Sequence, residues 1–207
     1  MKKLSLFIGT SLVAAAAISM AAIAARSSAA VGSAAPAFDT TDSNGKAVKL
    51  SAYKGKYVVL EWANFDCPYV KKHYNSHNMQ SLQKTYTEKG VAWLTVFSSP
   101  EGAQGYYTPD KLNAMAKEKG MSSTLIPDPK GALGQLYGAT NTPNMFVIDP
   151  EGKLIYAGAI DDNRSSDPGV IKTSHNYVAA ALDEAMAGKP VTTPKSRPYG
   201  CGIHYSD

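Results

Sequence analysis

The chain has 207 residues, 44% of them hydrophobic, with 21 basic against 17 acidic residues and a net charge of +4. That length supports one domain with a substantial core. The positive excess is concentrated at the start: taking Lys2, Lys3 and Arg26 from the 21 basic residues leaves 18 against 17, a net charge of +1, and no basic stripe suited to a nucleic acid.

Lys2 and Lys3 precede an uncharged run from Leu4 to Ala25, followed by small residues and A-x-A-like sites such as Ala22-Ile23-Ala24. This is the pattern of a secretory signal, with cleavage expected after Ala24, Ala25 or Ala30. The run is just long enough to remain as a membrane anchor, but its richness in Ala and Ser favours removal. We therefore expect a signal peptide and linker at residues 1–30, one domain at 31–187, and an irregular tail at 188–207 that carries Cys201. The chain is expected to be secreted or periplasmic, meeting a membrane only through the signal segment before cleavage. Such compartments are oxidising, and the pair Cys67 and Cys201 invites a disulfide, although the sequence does not show that they meet.

In chain order, Phe38 to Leu50 reads as a β-hairpin around Ser43-Asn44-Gly45-Lys46. Val58 to Leu60 is an apolar, β-branched run that suits a strand covered on both faces. After Cys67 a helix is predicted to about Glu88, with a break at Asn75-Ser76-His77-Asn78 and Met79, Leu82, Gln83 and Tyr86 facing inward beyond it. Val91 to Phe97 is a second strand, parallel to the first because a helix connects them. Pro100 to Thr108 reads as a loop, Pro109 to Lys119 as a helix stopped by Gly120, Thr124 to Ile126 as a short strand, and Lys130 to Tyr137 as a short helix. Asn144 to Ile148 and Lys153 to Ala157 form a hairpin across Asp149-Pro150-Glu151-Gly152, Asp161 to Pro168 is a polar loop, and Ser174 to Ala187 is the closing helix. This order requires an α/β fold: a central mixed β-sheet with helices on both faces and an N-terminal β-hairpin.

Cys67 stands between the central strand and a helix whose first residue is Pro68, a residue suited to that position because its missing N–H would have no partner there. The free N–H groups and the positive end of the helix dipole would favour a thiolate at Cys67. Its other reading is a buried, inert cysteine.

Three stretches carry a resemblance: Val58 to Cys67-Pro68, Asp128-Pro129-Lys130-Gly131 leading to Tyr137-Gly138, and Thr142-Pro143-Asn144-Met145-Phe146-Val147-Ile148-Asp149-Pro150-Glu151-Gly152. Their order and spacing resemble a thioredoxin-fold redoxin, the alkyl hydroperoxide reductase/thiol-specific antioxidant or peroxiredoxin-like family. The thioredoxin pattern has a second cysteine three positions after the first; here that residue is Val70, so a local Cys-x-x-Cys disulfide is excluded. The peroxiredoxin pattern has Thr or Ser three residues before the cysteine and Pro seven before; here they are Asn64 and Leu60. Asn64 could donate to the sulfur or to a peroxide oxygen, or merely close the loop. Glu61 matches the buried proton-relaying carboxylate of thioredoxins, or else reaches solvent or a lysine. Thr142-Pro143 matches the loop whose cis proline lies against the reactive cysteine and offers backbone groups to an extended substrate.

Lys71 and Lys72 read as a solvated helix face that adds positive potential, and Arg164 reads as surface. The resemblance implies a secreted thiol oxidoreductase with Cys67 as nucleophile, Cys201 as resolving cysteine, and Glu61, Asn64, Pro68, Thr142 and Pro143 in support. Its substrate would be a peroxide or a protein disulfide, its reductant a thiol protein, and it would need no cofactor, no metal and no nucleic acid. Two other classes compete. One is a metal-binding module, for copper or another soft metal, using Cys67, His73, His77, Cys201 and His204. The other is a redox-inert binding domain whose two cysteines form a static disulfide.

Overall fold

The computed structural model describes residues 29–205, so the expected signal segment lies almost wholly outside the described residues. Among the described residues no helix is long and apolar enough to cross a membrane.

Strands β1 (Asp39–Thr41) and β2 (Ala47–Lys49) form the N-terminal hairpin, its turn held by Asp42, whose carboxylate accepts from the Asn44 and Lys46 N–H groups. The main sheet has five strands in the order β5 (Thr124–Pro127), β4 (Ala92–Phe97), β3 (Val58–Trp62), β7 (Asn144–Ile148), β8 (Leu154–Gly158). β3, β4 and β5 run parallel; β7 is antiparallel to β3, and β8 to β7. All five residues of β3 are buried, which is why this strand reads as a continuous apolar run and not as an alternating one.

The two faces of β3 feed two cores. Val59, Met145, Val147 and Trp93 face helices α1 (Pro68–Asn75), α2 (Asn78–Glu88), α3 (Pro109–Lys119) and α5 (Tyr177–Met186), which contribute Val70, Tyr74, Met79, Tyr86, Leu112, Val178 and Leu182. Val58, Leu60, Trp62, Phe146 and Ile148 face α4 (Ala132–Tyr137) and the N-terminal hairpin, from which Leu133, Tyr137 and Val48 pack. This is the mixed sheet with helices on both faces that the element order requires.

The predicted break in the first helix lies between Asn75 and Asn78, where His77 takes a left-handed conformation with φ 60°. The Asp128 stretch has a local reason: its carboxylate accepts from the Leu133 and Gly134 N–H groups at the start of α4 and from the Ser98 hydroxyl. The tail departs most from expectation. It contains a short strand, β9 (Cys201–Gly202), antiparallel to β6 (Asn141–Thr142), and before that it runs beside β8, where Ala157 N–H donates to Pro194 O and Ser196 N–H to Ala157 O. Two-residue strands have no periodicity to read. A 3₁₀ turn at Pro168–Thr173 also lies within and beyond the predicted loop.

Candidate functional site

The site forms where the C-terminal end of β3 meets α1. Cys67 is the N-cap of α1 with extended backbone (φ −70°, ψ 126°), and Pro68 is the first helical residue. The loop before it is closed by Asn64: its backbone carbonyl accepts from Cys67 N–H, and Oδ1 accepts from Asp66 N–H at 2.9 Å and from the Tyr107 hydroxyl at 3.2 Å. Asn64 thus holds the loop shape that presents the cysteine.

Opposite Cys67 stands the loop with the cis Thr142–Pro143 bond. The Cys67 Sγ donates to the Thr142 carbonyl at 3.2 Å when protonated. The outer backbone of Thr142, where the resemblance places an extended substrate, is occupied by the chain's own tail: Thr142 pairs with Cys201 and Asn141 with Gly202. Gly200 permits this approach. Its φ is 111°, and a Cβ there would stand 2.1 Å from the Thr142 carbonyl oxygen. The tail is fastened further on by Ile203 N–H to Thr140 O at 2.9 Å and by the Tyr205 hydroxyl to Ala139 O at 2.6 Å.

The consequence is that two free thiols meet at Thr142, Cys67 buried at 2% exposure and Cys201 half-buried. Burial works against a charge on Cys67. The Cys201 side chain, the Thr142 side chain and the backbone N–H groups of Val70 and Cys201 outweigh it and hold the Cys67 thiol below its usual range. Burial and the neighbouring Cys67 charge push the Cys201 thiol up to about 12. The two thiols are therefore shifted in opposite directions, Cys67 toward the thiolate and Cys201 toward the thiol.

Beside the pair lies a pocket of about 210 Å³ whose wall includes Asn64, Ser99, Thr142, Cys201 and His204. The Thr142 hydroxyl is buried and has no hydrogen-bond partner of proper geometry among the described residues, yet it is near enough to the sulfur to favour its charge. Cys201 faces this pocket, and Cys67 lies behind it.

Glu61 sits in the middle of the sheet, fully buried, and neither reaches solvent nor pairs with a lysine. Its carboxylate accepts from the Tyr74 hydroxyl (2.8 Å), Trp93 Nε1 (2.8 Å), Gln83 Nε2 (3.2 Å) and the Thr95 hydroxyl (3.2 Å). Burial raises its pKa despite these four donors. Two of these donors come from the helix layer, Tyr74 from the helix that Cys67 caps and Gln83 from α2, and two from the neighbouring strand β4, Trp93 and Thr95.

Lys72 corrects the expectation of a solvated helix face. Lys71 is exposed, but Lys72 is buried, its ammonium 3.1 Å from Asp161 Oδ2 and 2.9 Å from the Asn163 carbonyl. Two elements distant in sequence supply the partners, so nothing local announced them. His73 and His77 do not share a helix face, because α1 ends between them: His73 is buried, and His77 is exposed at the break. His204 is exposed at the pocket, away from both, and no group of three or more metal-binding side chains gathers among the described residues. Arg164 is exposed.

A model of the AhpC/TSA family matches residues 31–157. A curated relative, thiol-disulfide oxidoreductase ResA of Bacillus thuringiensis subsp. konkukian, is 29% identical over 125 residues, 60% of this chain and 67% of its own. The ResA of Bacillus subtilis is 28% identical over 135 residues, 65% of this chain and 70% of its own. Among solved structures, a hypothetical protein of Sinorhizobium meliloti superposes with a TM-score of 0.75 at 26% identity, covering 87% of this chain and 97% of that one. A candidate thiol:disulfide interchange protein DsbE from Chlorobium tepidum gives a TM-score of 0.50 at 27% identity over 63% of this chain and 85% of its own. The fold is thioredoxin-like.

Proposed function

Because the chain belongs to the AhpC/TSA family, we propose that it is a secreted or periplasmic thiol oxidoreductase in which Cys67 is the attacking thiolate and Cys201 the resolving cysteine. The observation that carries this reading is the delivery of Cys201 to the neighbourhood of Cys67 by the β6–β9 pairing, in surroundings that lower the Cys67 pKa and raise that of Cys201. A static disulfide does not need a thiolate-stabilising setting. A working pair does, because the thiolate is both the nucleophile and the better leaving group.

The cycle follows from the geometry. With a disulfide substrate, the Cys67 thiolate attacks one sulfur and expels the other as a thiolate, leaving a mixed disulfide on Cys67. Cys201 then loses its proton and displaces the bound sulfur, so the substrate leaves reduced and Cys67 and Cys201 end as a disulfide. With a peroxide, attack on one oxygen breaks the O–O bond, releases water or an alcohol, and leaves a sulfenic acid at Cys67, which Cys201 converts to the same disulfide with loss of water. A dithiol protein supplies the two electrons that restore both thiols. No organic cofactor enters.

The relatives named as thiol-disulfide oxidoreductases favour disulfide exchange as the main reaction. Leu60 and Asn64 stand where the peroxiredoxin pattern has Pro and Thr or Ser; Leu60 is core and the Asn64 Oδ1 is already occupied, which weighs against efficient peroxide activation. The basic start and small-residue run at residues 1–30 support export.

The test compares unaltered protein with Cys67→Ser and Cys201→Ala in a coupled assay, with a thiol-reducing protein as electron donor and a protein disulfide or hydrogen peroxide as substrate. Cys67→Ser should be inactive with both. Cys201→Ala should react once and stop as a mixed disulfide or a Cys67 sulfenic or sulfinic acid. Full turnover by Cys67→Ser would remove the nucleophile from the account.

A further inference from the structure

Behind the two cysteines lies a buried cluster that the cycle above does not use. Lys72, His73 and Asp161 are 2%, 0% and 3% exposed, and the hydroxyl of Tyr199, itself 7% exposed, stands among them. Lys72 Nζ is 3.4 Å from that hydroxyl, His73 Nε2 is 3.4 Å from it, and the hydroxyl donates to Asp161 Oδ1. Asn78 Nδ2 meets His73 Nδ1 at 2.8 Å; an amide donating there leaves the imidazole proton on Nε2, aimed at the tyrosine. A phenol can donate once and accept twice, so this hydroxyl is fully used.

Burying an ammonium and a carboxylate costs several kcal/mol per ion before their attraction is counted, and apolar residues of like volume often serve stability as well. A saturated polar cluster does something an apolar one does not: it accepts one arrangement and rejects its neighbours. What it joins here is specific. Lys72 and His73 lie five and six residues after Cys67 on the helix that Cys67 caps, and Tyr199 lies two residues before Cys201. Tyr199 is the most deeply buried side chain of the tail around Cys201. The β6–β9 ladder is only two residues long, too short to fix a segment by itself.

We propose that Tyr199, held by Lys72, His73 and Asp161, is a positioning latch that sets Cys201 against Cys67. This rests on the reading that the two cysteines form a redox pair. The latch touches neither sulfur. Its effect is on the effective concentration of Cys201 at Cys67: with the hydroxyl removed, the ring still packs against Tyr69 (centroids 5.8 Å apart), but the cluster has lost the group that ties the tail to α1.

The experiment uses Tyr199→Phe, with Tyr205→Phe as a comparison that also removes one tail hydrogen bond, on the far side of Cys201. The first readout is the equilibrium between the Cys67–Cys201 disulfide and the glutathione mixed disulfide on Cys67, which measures that effective concentration. Tyr199→Phe should lower it about tenfold to a hundredfold, the weight of hydrogen bonds to charged groups, and Tyr205→Phe by threefold or less. A general loss of stability would lower the melting temperature of both without separating them here. The second readout is hydrogen exchange at the Ile203 amide, which donates to Thr140 and reports tail docking whether or not a disulfide forms; Tyr199→Phe should speed it tenfold or more. If the unaltered protein forms no Cys67–Cys201 bridge, the redox reading fails and the exchange rate alone decides the latch. Equal effects of the two variants, or an exchange rate within twofold of the unaltered protein, would overturn the latch. If Tyr199→Phe does not fold, Lys72→Met carries the same two expectations.

Discussion

His73 shows at the residue scale how burial turns into a pH dependence. Burial, with Lys72 adding to it and Asp161 opposing, lowers its pKa from 6.5 to about 4. A base that is harder to protonate when folded binds fewer protons than in the unfolded chain between those two values. Stability from this residue is therefore complete above about pH 6.5 and is lost as pH falls toward 4, by about 3 kcal/mol in all. Urea unfolding at pH 7 and pH 4 should show His73→Gln losing less stability over that interval than the unaltered protein, by about 2–3 kcal/mol. Parallel losses would mean that His73 is not neutral in the folded chain. The same neighbourhood marks the limit of reading residues singly. Lys72 follows Lys71 on a helix, and local pattern offers no reason to treat them differently. Only the arrival of Asp161, 89 residues later, buries one and leaves the other in water. Cys67 was legible because its setting is local: a strand, a short loop and a proline at a helix start.

At the scale of elements, the tail strand is the part that makes the site, and Gly200 is its tightest point. Gly200→Ala would force a Cβ into the Thr142 carbonyl while asking alanine to hold a φ of 111°. The expected result is release of β9 from β6. Alkylation of Cys67 should then show a higher pKa than in the unaltered protein, because the Cys201 thiol and its backbone N–H, two of the groups that favour the thiolate, move away. Thermal stability should fall by roughly 1–3 kcal/mol, the usual range for strain of this kind. An unchanged Cys67 titration in the folded variant would show that the tail does not set the thiolate. The larger elements were visible because each has a signature: a hairpin turn around Asn44-Gly45, a polar break at residues 75–78, and a helix bounded by Pro109 and Gly120. β6 and β9 have none, because two residues of strand are defined only by their partner.

Over the whole molecule, the thioredoxin-like sheet supplies two fixed points, the cysteine at the helix start and the cis Thr142–Pro143 loop, and the tail brings the third. Thioredoxins carry a second cysteine within one turn of helix; here the other cysteine lies 134 residues away in the sequence and is returned to the neighbourhood of Cys67 by docking along β8, through the Tyr199 cluster and onto β6. The family was readable from three motifs in order, because they lie on the core of the fold. The meeting of Cys67 and Cys201 was not, because it depends on contacts scattered from Lys72 to Asp161 to Tyr205. In the proposed redox pair, stabilising the Cys67 thiolate stabilises the reduced form and makes the disulfide easier to reduce, which distinguishes it from a structural crosslink. The most direct measurement is the reduction potential of the oxidised chain in glutathione buffers, with non-reducing peptide mapping to identify the joined sulfurs. The account predicts a single Cys67–Cys201 bridge within one chain, reduced in a two-electron step at a potential above roughly −300 mV. A bridge that survives those buffers as structural disulfides do, or Cys67 oxidised to a sulfinic acid while Cys201 stays a free thiol, would contradict it.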